Sequence, residues 1–364
     1  MAMKLYIKSI SDIYTIQFIY DQYSEIIIDF SALKYLGVGR YALKYALWAL
    51  KKDGIITILD THQDTRSSHS RITFNQVRLE VFKALGDDVE VIDVDDRERF
   101  VKVKKISDRY INIGFSFGII FSGSLNEEGQ LIRAVESILG NKDLKKYPYE
   151  IVICGPSDFS SESFILQFGE ANIRYLAYNT ISMPRFMISQ KKNFLYSAMR
   201  YNIVSISHTR IVYPDNFVNE VFYKKFDLFT TKVLVNQNGH CFKYMDFSLI
   251  DTYDITKYPI RGIPSGDIKD EVLYYMQKRV PYIDGGLTIF NKNILADPPY
   301  NNKIAWGEAE DVDMCANIYF KGLLIDYFTF LESESLTCKI GIKNSVRHKI
   351  KRYVMNYLIK KGFI

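Results

Sequence analysis

Acidic residues cluster in the last sixth of the chain, in a pattern that could accept a proton. Glu308, Glu310, Asp311 and Asp313 lie within six positions, at the start of a stretch with helical spacing. Acidic side chains favour the first turn of a helix, because they cap its amide groups and complement its dipole. Capping requires fewer acids than these four, and a carboxylate is a suitable acceptor for the proton of a reacting hydroxyl. The cluster therefore predicts a general base, with helix capping as the alternative interpretation.

A second polar cluster, Ser207-His208-Thr209-Arg210, follows an apolar run and could interact with a metal ion or an anion. The imidazole of His208 could bind a Mn²⁺-like ion, whereas Mg²⁺ prefers oxygen ligands. The guanidinium of Arg210 could instead pair with a diphosphate through two hydrogen bonds. A histidine after an apolar strand is by default structural, so a structural role or a decayed site also stays open.

Strands and helices alternate ahead of these clusters. Apolar runs predict strands, and leucines at helical spacing that are followed by glycine predict helices. A Gly-Val-Gly-Arg sequence at 37–40 precedes the first helix. The alternation favours a layered sheet with helices on its faces. The predicted elements are strands at 25–30 and 55–60, helices at 40–51 and 73–85, and a hairpin of strands at 89–94 and 100–105.

The pattern restarts near Ile111 and leads to the two polar clusters. An apolar strand is followed by a polar turn with Asn126 and Glu127, and then by an amphipathic helix. Carboxylates at this turn suit the positive end of a helix dipole. Further strands are expected at 149–155 and 201–207, so the second cluster would follow directly on a strand end.

The order of these pieces, over about residues 111–330, resembles the inverting family 2 glycosyltransferases, which have the GT-A fold. GIIFSGSLNEEGQLIRAVESIL is similar to the opening strand, turn and helix of that family, and YEIVICGPSD takes the place of its second strand. KKNFLYSAMRYNIVSISHTRI resembles the segment that leads into the metal-binding DxD motif, and WGEAEDVDMCANIYFKG resembles the late acidic motif. The resemblance implies an α/β fold with a Rossmann-like mixed sheet, here over residues 109–338.

This resemblance implies roles for the candidate residues. The catalytic base of the family is the Asp of a Glu-Asp pair, here Asp311 after Glu310, with Glu308 as the rival. The helix face that carries Lys191 could alternatively be solvated and without a ligand. The donor-binding residues implied by the positions of the motifs are Ser124, Asn126, Glu127, Gly155, Lys191, Lys192, Asn193, Arg210, Gly285 and Gly286.

Two motifs of the family are altered in this chain. The DxD position reads Ser207-His208-Thr209-Arg210 without a carboxylate, so His208 is the candidate ligand for a divalent metal, Mn²⁺ or Mg²⁺. The two-Asp motif that contacts the base of the nucleotide has become Cys154-Gly155-Pro156-Ser157. Glycine lets a ligand approach the backbone, so the altered motif leaves nucleotide binding open, but the identity of the base is not readable.

Residues 1–108 resemble the carboxyl-terminal half of a class I methyltransferase fold. The likeness lies in LKKDGIITILD, which is similar to the helix, glycine and strand of that family. The missing half, with the Gly-rich turn that holds S-adenosylmethionine, has no room in the 24 residues upstream of the first predicted strand. We therefore expect an incomplete, smaller α/β domain that binds no S-adenosylmethionine.

Charge is distributed unevenly along the chain. The 364 residues carry a net charge of +5, yet residues 339–364 hold eight Lys or Arg and no acid, which leaves −3 for the first 338. Apolar residues recur every four positions over 345–361, so this tail predicts a basic amphipathic helix that binds an anionic membrane face. Docking on the acidic body of the protein is the alternative. Nucleic-acid binding is not expected, because no recognition motif accompanies the charge.

Composition restricts the class of protein further. With 48% hydrophobic and 24% charged residues, the chain is not a disordered protein, and four Cys without a CxxC pair indicate neither a zinc site nor a disulfide framework. No secretory signal and no membrane span is predicted. The expected location is cytoplasmic, with possible peripheral attachment to the inner face of the cell membrane through the tail.

The expected function is transfer of a sugar from a nucleotide-sugar donor to a glycan or lipid-linked acceptor with inversion, in surface polysaccharide synthesis. The alternative is a catalytically silent GT-A-like subunit that binds sugar or acts as a scaffold. Loss of the DxD and two-Asp motifs favours this alternative, and retention of Glu310-Asp311 opposes it. A methyltransferase built on residues 1–108 is a further rival.

Overall fold

The protein is described from a computed structural model. Glu308 and the basic tail 339–364 lie outside the described residues. The described ranges are 3–33, 35–60, 73–179, 187–237, 240–243, 246–251, 262–264, 272–276, 279–305 and 309–337.

The amino-terminal part of the chain forms a five-stranded mixed sheet in the order β1-β2-β3-β5-β4. Strands β1, β2 and β3 are parallel, and β5 runs antiparallel to both β3 and β4, which confirms the predicted hairpin. The elements are β1 (Lys4–Ile7), α1 (Ile10–Ile16), β2 (Tyr23–Asp29), α2 (Phe30–Leu33), α3 (Leu36–Ala49), β3 (Leu50–Leu59), α4 (Phe74–Leu85), β4 (Val89–Asp95) and β5 (Phe100–Lys105).

One expectation for this part of the chain is wrong. Gly-Val-Gly-Arg at 37–40 does not precede the helix but lies inside the first turns of α3. A glycine pair inside a helix cannot form a phosphate-binding turn ahead of it. The methyltransferase likeness and the domain boundary at 108 stay predictions.

Helix α3 is buried on all sides, because it lies between the first sheet and the rest of the chain. Every residue from Gly37 to Ala49 is buried. On the face of α3 that is turned away from the first sheet, the hydroxyl of Tyr41 donates to the carbonyl of Ile325 at 2.5 Å. The hydroxyl of Tyr45 donates to Asp326 Oδ2 at 2.8 Å. A helix that is apolar or paired all round is a core helix.

The larger sheet is mixed, and its strands run in the order β10-β17-β11-β16-β9-β6-β7-β8, with β12 paired to β11. Strands β8, β7, β6 and β9 are parallel, and β16 is antiparallel to β9 and β11. The expected mixed α/β fold is confirmed. Its elements are β6 (Phe115–Ile120), α5 (Leu125–Leu139), β7 (Tyr149–Gly155), α6 (Ser161–Leu166), β8 (Ile173–Ala177), α7 (Ile188–Ala198), β9 (Ile203–His208), β10 (Ile211–Val212), α8 (Phe217–Phe222), β11 (Leu228–Gln237), β12 (His240–Lys243), β16 (Leu287–Asn291), α9 (Glu310–Phe320) and β17 (Ile325–Ser335).

The chain between β12 and β16 forms a third sheet. It has three antiparallel strands in the order β14-β13-β15, formed by β13 (Phe247–Asp251), β14 (Gly262–Pro264) and β15 (Arg279–Ile283). Because β15 leads directly into the turn before β16, this small sheet determines where that turn lies. Across the described ranges, every helix is too short or too polar to cross a bilayer.

The parallel strands place several chain segments at one edge of the larger sheet. The carboxyl ends of β6, β7 and β9 meet there, and ligands of open α/β sheets bind outside such ends. Strand β16 runs the other way, so its first residue lies at the same edge, where Leu287 pairs with Ser207. The sheet therefore brings the turn before β16 next to the end of β9.

The stability of the buried contact between α3 and β17 should depend on pH. Burial raises the pKa of Asp326 from 3.8 to about 6, although hydrogen bonds from Tyr45 and the Tyr327 amide oppose this. The folded protein thus binds this proton more tightly than the unfolded chain. The contribution of Asp326 to the free energy of unfolding is fully present below pH 3.8 and is lost as the pH rises through 6. The free energy of unfolding falls by about 3 kcal/mol over this range.

Asp326→Asn removes this titration. Relative to the wild type, the variant should therefore gain in Tm when the pH is raised from 4 to 8, as measured by thermal unfolding. The matched control is Asp297→Asn, at an exposed position. A difference in Tm between Asp326→Asn and the wild type that stays the same from pH 4 to 8 would contradict the raised pKa of Asp326.

Candidate functional site

The acidic cluster begins helix α9 at the carboxyl edge of the larger sheet. Ala309 has a left-handed backbone with φ of 62°, and it directs the chain into the helix at Glu310. Glu310 and Asp311 are both buried. Oδ2 of Asp311 accepts hydrogen bonds from the Tyr282 hydroxyl at 2.8 Å and from the Gly285 amide at 2.9 Å. The structure thus brings Asp311 together with the turn Asp284-Gly285-Gly286, which contains two of the implied donor-binding residues.

Lys192 reaches the same turn from helix α7. Its ammonium group donates to Glu310 Oε1 at 3.3 Å and to the Gly285 carbonyl at 3.4 Å, and lies 4.8 Å from the ring centre of Tyr300. The side chain is fully buried. The alternative interpretation of a solvated helix face is therefore wrong for this residue, which neutralises Glu310.

Lys191 and Asn193 are also buried, but they point to different partners. Lys191 Nζ donates to the Phe121 carbonyl at 2.6 Å, at the end of β6, and burial lowers the pKa of this lysine. Asn193 exchanges hydrogen bonds with the backbone of Tyr300, at 2.6 and 3.0 Å. Lys191 thus lies at the strand ends, whereas Asn193 holds the loop that contains Tyr300.

The second polar cluster lies beside the same turn. The His208 amide donates to the Gly286 carbonyl at 3.1 Å. Arg210 is nine-tenths buried, and its carbonyl accepts from the Leu336 amide at 2.8 Å. His208 therefore lies beside the turn that Asp311 contacts through Gly285, and the roles of His208, Gly286 and Arg210 as ligands stay predictions.

A divalent metal finds little support among these groups. Within the described ranges, no three His, Cys, Asp or Glu side chains are arranged to hold a metal ion. The Glu310 carboxylate is paired with Lys192, and one Asp311 oxygen already accepts two hydrogen bonds. The described residues at this site do not fit a protein-held metal, so we derive no step through one.

The turn before helix α5 is organised by Glu127. Its Oε2 accepts from the Ser122 amide at 3.0 Å and from the Ser122 hydroxyl at 2.7 Å, and the Ser124 amide donates to that hydroxyl at 3.3 Å. Ser124 and Asn126 are exposed. Glu127 thus shapes the turn, and the exposed pair lies where a ligand above β6 could meet it.

Gly155 has a structural reason to be glycine. A Cβ atom there would lie 2.3 Å from the Tyr175 hydroxyl and 2.9 Å from Phe121 Cδ1. That hydroxyl donates to the Pro156 carbonyl at 2.7 Å, which fixes the end of β7. The space that was expected to admit a ligand is therefore filled by Tyr175, and a donor contact at Gly155 stays a prediction.

Tyr282 is the site residue that the sequence analysis missed. It belongs to β15, where the RVPYI pattern indicates only a strand. Its position near the end of a strand, three residues before Gly285, is the available signal. Nothing in that spacing shows that Asp311 is its partner.

Gly285 is expected to be intolerant of substitution. A Cβ atom would lie 2.8 Å from Lys192 Nζ, 3.3 Å from Asp311 Oδ2 and 3.4 Å from Glu310 Oε1. Gly285→Ala must therefore displace the buried ammonium group, at a cost of about 1–3 kcal/mol. We expect a lower Tm in thermal unfolding.

The matched control is Gly129→Ala in helix α5, where a Cβ atom would meet nothing within 4 Å. Alanine is the better helix former, so this control should raise stability by about 0.5–1 kcal/mol. Equal Tm values for the two variants would contradict the packing described around Gly285.

Comparisons with known proteins give a distant similarity in fold. No protein-family model matches the chain, and no curated protein sequence matches it. The crystal structure of GalNAc-T7 with UDP, GalNAc and Mn²⁺ is 13% identical, with a TM-score of 0.48 over 63% of this chain and 44% of GalNAc-T7. The mannosyltransferase PcManGT from Pyrobaculum calidifontis, in complex with GDP-Man and Mn²⁺, is 11% identical, with a TM-score of 0.41 over 64% of this chain and 60% of PcManGT.

A third structure, the inositol-1-phosphate CTP transferase from T. maritima, is 10% identical, with a TM-score of 0.38 over 63% of this chain and 92% of that chain. This chain spans less than two thirds of GalNAc-T7 and of PcManGT. TM-scores below 0.5 mean that only part of the chain course is shared.

Proposed function

We propose that this protein is a glycosyltransferase that moves a sugar from a nucleotide-sugar donor to a hydroxyl acceptor, with inversion at the anomeric carbon. The observation that carries the proposal is the buried carboxylate of Asp311, whose Oδ2 is held by Tyr282 and Gly285 at the carboxyl edge of the sheet. A carboxylate fixed at the edge where α/β folds bind ligands suits a general base.

The reaction would proceed in one displacement. The acceptor oxygen forms a bond to the anomeric carbon while the bond from that carbon to the diphosphate oxygen breaks. The leaving nucleoside diphosphate takes the bonding electron pair, and the acceptor proton passes to Asp311. Attack from the side opposite the leaving group inverts the configuration.

The departing diphosphate requires positive charge, and two basic side chains of this chain could supply it. Lys191 lies at the end of β6, and Arg210 follows the end of β9. Lys192 contributes less, because Glu310 neutralises it. Fixed cations near a developing negative charge stabilise the transition state. The rival arrangement, in which His208 holds a metal ion, finds no group of three ligands among the described residues.

The acceptor and the setting are less closely tied to the site. A glycan or lipid-linked acceptor, a role in surface polysaccharide synthesis, and attachment of the basic tail 339–364 to an anionic membrane face form part of the proposal. The tail supports it through its eight basic residues and lack of acids. A silent sugar-binding subunit is the second candidate, favoured by the absence of a carboxylate from Ser207 to Arg210.

Asp311→Asn tests the base. It keeps the shape of the side chain but cannot accept the acceptor proton, so transfer should fall by about 10²–10⁴-fold. The matched control, Asp313→Asn, changes a half-buried acid in the same helical turn that accepts from Asn317 at 2.9 Å, and it should keep most of the activity. Transfer would be measured with a nucleotide sugar, and the anomeric configuration of the product by NMR.

Unchanged transfer by Asp311→Asn would remove the base assignment. Retention of configuration in the product would contradict inversion. No transfer by the wild type would support the silent subunit.

Nucleotide binding can be tested before any acceptor is known. The test is a thermal-shift screen of nucleotides and nucleotide sugars, each with Mn²⁺, Mg²⁺ or EDTA. We expect ligands of one nucleotide class to raise the Tm of the protein. A ligand at 100 times its Kd adds about 2.7 kcal/mol. A shift that survives EDTA and is lost in Arg210→Gln or Lys191→Gln would support the cationic arrangement, and one that needs Mn²⁺ would support His208. No shift with any nucleotide would contradict donor binding.

A further inference from the structure

We propose that Tyr282 is a positioning residue for transfer, because its hydroxyl holds one oxygen of Asp311 so that the other oxygen faces the acceptor proton. This inference rests on the proposed function, in which Asp311 is the base. It assigns a role to a side chain that neither the motifs nor the resemblance singled out.

The hydrogen bonds of Asp311 divide its two oxygens. Oδ2 accepts from the Tyr282 hydroxyl at 2.8 Å and from the Gly285 amide at 2.9 Å, which fills both of its lone-pair positions. Oδ1 accepts from the amide of the next residue, Val312, at 3.0 Å. Among the contacts of the described residues, the unused lone pair of this carboxylate is therefore on Oδ1.

The two donors to Oδ2 come from one rigid unit. Tyr282 lies on β15, whose partner β13 pairs with it from Phe247 to Asp251. Gly285 follows in the turn, and the Gly286 amide donates to Asp284 Oδ2 at 3.1 Å. The strand and its turn thus present a hydroxyl and an amide at a fixed separation, so both can hold the same oxygen.

The hydroxyl of Tyr282 acts as a donor at any ordinary working pH. Burial, and then the negative charges of Asp311 and Asp284, raise its pKa well above the usual value for tyrosine. A neutral donor to a carboxylate favours the charged form of that carboxylate. Tyr282 therefore remains a hydrogen-bond donor to Asp311 and fixes the orientation of its carboxylate.

Other charged or titratable groups also surround Asp311, and they must be accounted for in any pH effect. Lys192 approaches from α7, whereas Glu310 and Cys315 lie on α9 itself. Tyr300 lies on the far side of Lys192. Among the described side chains around Asp311, Tyr282 alone donates a hydrogen bond to its carboxylate, so removal of the Tyr282 hydroxyl changes that contact selectively. The groups that face Asp311 are Tyr282, Asp284, Lys192, Glu310, Cys315 and Tyr300.

Tyr282→Phe is the test, measured as kcat and donor KM across a pH series with the full-length protein. Loss of the hydrogen bond from the Tyr282 hydroxyl should lower kcat about 10-fold and leave the KM for the nucleotide sugar nearly unchanged. It should also move the acidic limb of the rate profile to higher pH. A merely structural tyrosine would not move that limb. The matched control is Tyr41→Phe, which removes a buried hydroxyl bonded to the Ile325 carbonyl and should leave the limb in place.

Each outcome separates the two proposals. An acidic limb that does not move in folded Tyr282→Phe, with Tm close to that of Tyr41→Phe, would overturn the positioning role and leave the base intact. A raised KM with an unchanged limb would make Tyr282 a substrate-binding residue instead. A wild type without transfer would remove the proposed function first, and the positioning role with it.

Discussion

The structure depends on one buried charge pair between helix α3 and the larger sheet. Lys44 Nζ lies 3.0 Å from Asp227 Oδ2, and both side chains are almost fully excluded from water. Tyr110 donates to the other oxygen of Asp227 at 2.6 Å and accepts from Lys44 at 3.0 Å. Removal of one partner from such a pair leaves an uncompensated charge and typically costs about 3–5 kcal/mol. The two sheets are therefore coupled, and α3 belongs to the core of both.

The same helix also supports the far end of the candidate site. Arg40 forms an ion pair with Glu80 on α4 and donates to the Tyr319 carbonyl, in the last turn of α9. A cation at that end complements the helix dipole and its open carbonyl groups. Because Asp311 lies in the first turn of α9, the amino-terminal part of the chain supports the helix that carries the proposed base. This gives that part of the chain a structural role at the candidate site.

The sequence was most informative about features set by periodicity, and least about partners. Apolar runs predicted β2 to β7 and β9, but not other strands of the two sheets, such as β1, β8, β11 and β17. The resemblance implied that Asp311, Gly285 and Lys192 would share a site. Periodicity could not show that Lys192 is buried, because a lysine on a helix is solvated unless a distant acid such as Glu310 meets it. The contact of Tyr282 with Asp311 was out of reach for the same reason. Such pairs join residues far apart in sequence, and only the packing of α7, α9 and β15 brings them together.

The charges that are already paired at the candidate site restrict where the diphosphate of a nucleotide-sugar donor could bind. Lys192 and Glu310 neutralise each other, and the donors to Asp311 Oδ2 are neutral groups, so the centre of the site retains the negative charge of that carboxylate. A diphosphate placed directly beside Asp311 would be repelled. In the proposed function, the diphosphate would lie near Lys191 or Arg210, at the ends of β6 and β9. The sugar would then lie between these cations and Asp311, so that the acceptor attacks from the side of the proposed base.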